Sequence, residues 1–449
     1  MYTVSDFVID RLIEWDLHRF YGYPGDGIGG FDGALSRAED AGKDFRYIRP
    51  THEEMAGLMA SAHAKFTGGV GVCIATSGPG AVHLMNGLYD AACDNQPVLA
   101  IVGQQARVSM GSDFQQELNM ERLFSDVAEY VKVVTTPMQA QMVIDRAVRI
   151  AHAQRQPTVV IIPTDVQNLE MQVPEAEHGV SRTGVGYASI RICPPADELD
   201  RAAEVLNAGT RVAMLVGEGA RGATEEVLEV ADQLGAGIVT ALLGKDVVPG
   251  DVPHHTQQLG LLGSRPSYEM MQDCDTLFMV GTNFPYGEFL PPPGQARGVQ
   301  IDLLPRHLGL RHPMEVNLWG DARTTLAALL PRLAKQQDRS WQDGIAKGMG
   351  EWRDELDRAA HTKADPVNPR LVFHELNARL PRDVIVTADA GTTADWYGNH
   401  LFLGPEMRGN LSGRLATMLA AMPYAIAAKF AYPERPVVCT IGDGAFQML

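Results

Sequence analysis

Val70-Gly-Val-Cys-Ile-Ala-Thr76, then Ser77-Gly-Pro-Gly80, then Ala81-Val-His-Leu-Met-Asn-Gly-Leu-Tyr-Asp90 is the stretch that decides the fold class. A short apolar run without polar alternation reads as a strand buried on both faces, as parallel sheets require. Glycine and proline end it, and apolar side chains then return at helical spacing. Strand, tight loop and helix make half of a βαβ unit. The pattern spreads outward from there. Phe45–Ile48, Val98–Gly103 and Thr158–Pro163 read as further buried strands, and Ser5–Trp15 and Glu53–Phe66 as helices. A second set begins near Glu198, with strand-like Arg211–Val216, Gly237–Leu242, Thr276–Val280 and Gly298–Ile301. A third starts at Asn368 with helix Pro369–Leu380, strand Asp383–Thr387, helix Leu415–Phe430 and a last apolar run, Pro436–Thr440.

At 449 residues the chain is too long for one core. The expectation is α/β: three doubly wound parallel-sheet domains at 1–170, 195–335 and 366–449. The irregular stretch Gln167–Pro195 and the polar stretch Lys335–Asp365 are the expected junctions. A net charge of −17 argues against general affinity for nucleic acid or anionic lipid. The five cysteines are scattered without a C-x-x-C pair, which fits reduced thiols. No basic region followed by an apolar one opens the chain, and the apolar stretch Leu415–Ala428 is short and contains Pro423. No transmembrane segment is expected, and the cytoplasm is the expected location.

Five segments carry possible chemistry. Pro24-Gly25-Asp-Gly-Ile-Gly-Gly30 follows only a very short strand candidate, Arg19-Phe-Tyr, so a tight turn is the plainer reading. Gly217-Glu-Gly219-Ala-Arg221-Gly222 follows a better strand and opens a helix, where amides can face a pyrophosphate. The next strand-like run ends without an acid, which disfavours an ordinary nicotinamide site and leaves a flavin dinucleotide open. In His52-Glu53-Glu54 the acids either favour a helix dipole or include a partly buried carboxyl that shares a proton with a ring nitrogen. The loop Ser77-Gly78-Pro-Gly80 lets the backbone meet a ligand or a second subunit, and lacks the spacing of a nucleophile elbow. Finally, Gly442-Asp443-Gly444 follows a strand. Asp between glycines there is suited to holding a metal ion against a phosphate, although such triplets also occur in surface turns.

In this order and spacing, these segments resemble the thiamine diphosphate enzymes of the pyruvate oxidase, quinone-linked pyruvate dehydrogenase and acetolactate synthase group. The marks are His52-Glu53-Glu54, Ala75-Thr-Ser-Gly-Pro-Gly80, His83-Leu-Met-Asn-Gly-Leu-Tyr-Asp90, Gln96-Pro-Val-Leu-Ala100, Phe114-Gln115 and Gly442-Asp443-Gly444. The resemblance implies pyrimidine-binding, central and diphosphate-binding domains. It implies thiamine diphosphate and Mg²⁺ as cofactors, with Glu53 hydrogen-bonded to the pyrimidine N1′ as the catalytic residue. Pro24, Gly25, Ser77, Gly78, Phe114, Gln115, Asp389, Gly391, Met418, Gly442 and Gly444 are the implied thiamine diphosphate residues, and Asp443 the metal ligand. Gly217, Gly219, Arg221, Asn283, Asp302 and Asp321 are implied for FAD. The reaction implied is decarboxylation of a small-molecule 2-oxo acid such as pyruvate, with electrons passing to FAD. Acetolactate synthase-like carboligation is the alternative. Family sites form between two subunits, so a homodimer or homotetramer is implied. The family's Asn-Asn pair and gating segment beyond Gly-Asp-Gly are not in this sequence. The expectation is therefore a chain truncated within its third domain, weak in Mg²⁺-diphosphate binding, or a non-catalytic paralogue.

Overall fold

The computed structural model describes residues 1–173, 178–188 and 191–448; part of the expected linker Gln167–Pro195 thus lies outside the described residues. The protein is α/β with parallel sheets in three domains. It forms two compact units, Met1–Ala188 with Leu411–Leu449, and Ser189–Asn410.

The first unit contains strands β1 (Arg19–Gly22), β2 (Arg46–Ile48), β3 (Gly71–Ala75), β4 (Val98–Gln104), β5 (Tyr130–Val133) and β6 (Pro157–Pro163). They form one sheet in the order β2-β1-β3-β4-β6-β5, with every pair parallel. The inner strands β3, β4 and β6 are buried at every residue, which is why their sequences run apolar instead of alternating. Sequence order reverses between β1 and β3, and ligands of open α/β sheets bind outside the carboxyl ends of strands at such a reversal.

The helix Glu53–Thr67 is buried along nearly its whole length. Helices Met85–Cys93 and Ala421–Ala431 cover it. The approach to Met85–Cys93 is backbone against backbone: a Cβ on Gly87 would stand 2.3 Å from the carbonyl carbon of Gly57. Only glycine permits that crossing.

The second unit contains β7 (Val212–Val216), β8 (Gly237–Thr240), β9 (His255–Gln258), β10 (Thr276–Val280), β11 (Arg297–Asp302) and β12 (Val316–Trp319). Their order, β12-β11-β10-β7-β8-β9, is that of a dinucleotide-binding doubly wound sheet, reversing between β7 and β10. β13 (Ile385–Ala388) and β14 (Arg408–Leu411) follow, and β15 (Val437–Thr440) precedes the short terminal helix Asp443–Phe446.

Three expectations need correction. The helix expected at Leu415–Phe430 begins only at Ala421, because Ala416 and Leu419 take left-handed φ angles of 53° and 77°. An apolar run gives no warning of such a turn. The helix expected at Gly80–Asp90 is divided at Leu84 into Pro79–His83 and Met85–Cys93. The strands β5, β9, β12 and β14 were not anticipated. β9 is His-Thr-Gln-Gln, polar by composition yet fully buried, and β12 alternates as an edge strand does. Among the described residues, no helix is long and apolar enough to cross a membrane.

Buried imidazoles make the fold sensitive to acid. Burial, with Arg19 nearby, lowers His63 to about 4; burial lowers His255 to about 3; burial, with Arg370 and Lys245, lowers His400 to about 4. Each folded pKa lies below the ordinary value, so the unfolded chain binds more protons between the two. Stability from these groups is complete above about pH 6.5 and is lost as pH falls toward the folded values. Thermal unfolding followed from pH 7.5 to pH 5 is expected to show a falling Tm, with a shallower fall in His255→Asn. An unchanged slope in that variant would remove His255 from the account.

Candidate active site

At the reversal of the first sheet, the loop after β1 meets the loop after β3. The Gly27 N–H donates to Thr76 Oγ1 at 2.9 Å. A Cβ on Gly25 would stand 2.7 Å from Thr76 Cβ, and one on Gly27 would stand 2.4 Å from Ser77 Oγ. The glycines after Pro24 thus close one loop on the other, and the motif does follow a true strand, β1. Ser77 is fully buried, with its hydroxyl accepting from Gln105 Nε2 at 3.3 Å, a position unsuited to a nucleophile. Gly78 takes φ 63°, and Gln116 Cβ lies 2.6 Å from where its Cβ would stand. This contact brings the exposed loop carrying Phe114 and Gln115 to the same place.

Glu53 opens the helix beneath these loops. His52 is the N-cap, its Nδ1 accepting the Glu54 N–H at 3.2 Å. The Glu53 carboxyl is buried but keeps one edge toward His83, whose Nδ1 shares a hydrogen bond with Glu53 Oε2 at 3.0 Å. The His52 and His83 rings lie 4.3 Å apart, centroid to centroid. Ligand atoms of His52, Glu53 and His83 all fall within 4.8 Å of one another, close enough to converge on one cation. A carboxyl at a helix N-terminus beside an imidazole is also a proton-sharing pair. Gly80 keeps the carboxyl accessible: a Cβ there would sit 3.1 Å from Glu53 Oε1 and 2.6 Å from Thr76 Cγ2. Glu54 instead takes Asn86 Nδ2 at 2.6 Å, and the same amide nitrogen reaches Thr417 Oγ1 at 2.9 Å. The two adjacent acids therefore have different duties.

In the same unit, Asp443 is exposed at the start of its helix, and nothing stands within 4 Å of a Cβ on Gly442. Met418, about half exposed, places Cε 3.9 Å from the Cβ position of Gly444. An accessible hard-oxygen donor beside an apolar side chain fits a metal-diphosphate group. Glu53 with the clear face left by Gly80 fits a heteroaromatic ring nitrogen.

The second unit holds the remaining candidates. Asp389 is buried after β13, its Oδ1 accepting the Ala390 N–H at 3.0 Å, and Gly391 (φ 71°) precedes the helix Thr392–His400. Gly217 and Gly281 end the two strands at the β7/β10 reversal. Gly219 packs on Gly281, whose Cα would be 2.8 Å from a Cβ. Arg221 turns inward to Asp246 (2.7 Å), Glu218 (2.9 Å) and the Leu243 carbonyl (3.2 Å). Asn283 Oδ1 accepts from Arg311 Nε at 2.9 Å; Asp302 accepts the Leu304 N–H at 2.8 Å; Asp321 caps the helix Ala322–Leu329. The strand order and Asp302 at the end of β11 fit a dinucleotide. Arg221 and Asp321 are already engaged within the protein.

Residue patterns did not single out the parts played by His83, Thr76 and Asn86. His83 had a usable signal: it lies one helical turn beyond the Ser77–Gly80 loop. Thr76 and Asn86 are recognised only through their contacts.

Three family models match the chain: the thiamine pyrophosphate enzyme N-terminal TPP binding domain over residues 2–123, the central domain over 199–329 and the C-terminal TPP binding domain over 389–449. A putative thiamine pyrophosphate-containing protein, YdaP, of Bacillus subtilis is 33% identical over 100% of this chain and 76% of its own length. Pyruvate oxidase of Lactiplantibacillus plantarum is 33% identical over 98% of this chain and 72% of its own. The acetolactate synthase isozyme 2 large subunit of Escherichia coli is 31% identical over 99% and 78%.

The packing at Gly80 makes a direct prediction. Gly80→Ala gains about 1 kcal/mol of helix propensity but adds a methyl that meets Thr76 Cγ2, an overpacking cost of about 1–3 kcal/mol. Chemical denaturation is expected to show net destabilisation, largely recovered by adding Thr76→Ser, which removes Cγ2. A stabilised single variant, or no recovery in the double variant, would contradict this geometry.

Proposed function

The chain belongs to the thiamine pyrophosphate enzymes, and from that premise we propose that it decarboxylates a 2-oxo acid, pyruvate first among candidates, and passes the electrons to bound FAD. In this reading it works as at least a homodimer in the cytoplasm. The observation that carries the reading is the buried Glu53 carboxyl, paired with His83 where the first sheet reverses. When bound, thiamine diphosphate supplies the carbanion chemistry that decarboxylation of a 2-oxo acid requires.

This chain's residues would bind and orient. Glu53 Oε1, with its face cleared by Gly80, hydrogen-bonds the pyrimidine N1′ and holds a proton there. His83 fixes the other carboxyl oxygen, and His52 caps the helix that presents it. Pro24, Gly25, Ser77 and Gly78 shape the pyrimidine side, and Phe114 and Gln115 overhang it. Met418 would pack against the bound cofactor. Asp443 would hold Mg²⁺ against the diphosphate, with Gly442 and Gly444 giving close backbone approach; Asp389 and Gly391 are further diphosphate residues that the family resemblance implies. For FAD, support comes from the strand order of the second unit and from the similarity to a pyruvate oxidase. Gly217, Gly219, Asn283 and Asp302 are its proposed contacts, with Arg221 and Asp321 holding the loops that frame it.

The similarity to acetolactate synthases supports a second reading, joining of two 2-oxo acids with the flavin redox-silent. Anaerobic mixing with pyruvate separates the two. The proposal expects CO2 release with bleaching of the flavin absorbance; acetolactate accumulating while the flavin stays oxidised would establish the alternative. Protein that releases no CO2 from pyruvate or other 2-oxo acids would overturn both.

A further inference from the structure

We propose that Asp94 and Lys65 are positioning residues: a buried charge cluster that anchors the segment Leu411–Thr417 and thereby sets where Met418 presents itself to thiamine diphosphate. The inference rests on the thiamine reading above and adds residues to its machinery.

Lys65 and Asp90 sit on the two helices that cross at Gly57 and Gly87, Asp94 caps the C-terminal end of the second, and all three side chains are fully enclosed. An ammonium has three protons to place. Lys65 Nζ donates to Asp94 Oδ2 at 2.7 Å, the Leu411 carbonyl at 3.0 Å and the Tyr424 hydroxyl at 2.6 Å. Asp90 Oδ2, 3.3 Å from Nζ, accepts from the Tyr424 hydroxyl and from Ser61 Oγ at 2.5 Å. Burial alone would lower Lys65, but Asp90 and Asp94 outweigh it and hold the ammonium well above its ordinary pKa.

Such a cluster is costly to take out of water, and apolar packing joins helices as well or better. What charge adds is geometric specification, and here its targets are backbone atoms. Asp94 Oδ2 accepts the Gly413 N–H and Oδ1 the Arg414 N–H, both at 2.8 Å. Lys65 holds the Leu411 carbonyl. Ser412 Oγ accepts the Thr417 N–H at 3.0 Å, and Asn86 holds the Thr417 side chain. Immediately beyond stands Met418, between residues whose left-handed φ angles are 53° (Ala416) and 77° (Leu419). For residues with a Cβ that conformation is strained. An exposed methionine in a strained turn keeps its place only if the preceding segment is held.

The test compares Asp94→Asn and Tyr424→Phe with Asp145→Asn. Asp145 is equally buried in the same unit and holds Arg11 and Trp15, away from this segment. Thermal unfolding, hydrogen exchange of the 411–418 peptide, and calorimetric binding of thiamine diphosphate with Mg²⁺ are measured for each. The expectation is roughly tenfold or greater loss of affinity and faster exchange in Asp94→Asn, with a smaller change in the same direction in Tyr424→Phe. Asp145→Asn is expected to lose stability while exchange in 411–418 and affinity stay unchanged. The positioning role is overturned if folded Asp94→Asn binds like the parent, if Asp145→Asn weakens binding equally, or if neither cluster variant folds. A parent protein that binds no thiamine diphosphate overturns the functional reading itself, and the positioning role with it.

Discussion

The first unit is arranged around one constraint: the helix Glu53–Thr67 is enclosed, yet carries an acid at its first turn and a lysine at its last. The macrodipole favours both placements, but neither charge can be left in an apolar interior without a partner. Glu53 is met by His83, and Lys65 by Asp90 and Asp94. Those two solutions explain why the helix ends are so unlike. The acid end borders the partly exposed His83, and the lysine end is fully enclosed by carboxylates, the Tyr424 hydroxyl and the Leu411 carbonyl. The second unit shows the contrast. Lys245 is equally buried, but its ammonium donates to the neutral Gln258 Oε1 and Gly398 carbonyl and lies over the Tyr397 ring, and burial lowers it to about 7. Neutral acceptors do not hold an ammonium as carboxylates do.

Sequence order reverses at β1/β3 in the first six-stranded sheet and at β7/β10 in the second, and glycine-bearing loops meet at both places. At β1/β3 the glycines bring loop against loop and leave one carboxyl accessible. At β7/β10 they bring Gly219 against Gly281, and arginine turns inward to carboxylates. Similar glycine spacing thus has a packing cause in both places. Strand order, more than the glycine pattern, is what marks the second crevice as suited to a dinucleotide.

The doubly wound α/β class was legible because inner parallel strands such as β3, β7 and β10 are buried on both faces and run apolar. From its residue type Glu53 was legible only as one of two adjacent acids; the family resemblance singled it out, and His83 and Asn86 give the physical distinction from Glu54. Edge and polar strands were not legible: β9 hides His-Thr-Gln-Gln in an interior where side-chain hydrogen bonds replace apolar contact. The turn around Met418 was invisible for a different reason. Its left-handed residues are Ala and Leu, which announce helix, and what holds the segment before it lies more than 300 residues away, in Asp94 and Lys65.

The proposed function depends most directly on Glu53 acting as the proton partner of thiamine diphosphate. Exchange of the cofactor's C2 proton for deuterium, followed by NMR on the bound complex, reads that role without reference to substrate, flavin or product. The account predicts exchange slowed on the order of 10²–10⁴-fold in Glu53→Gln, with the cofactor still bound. Equal exchange rates in parent and variant, at equal occupancy, would contradict it.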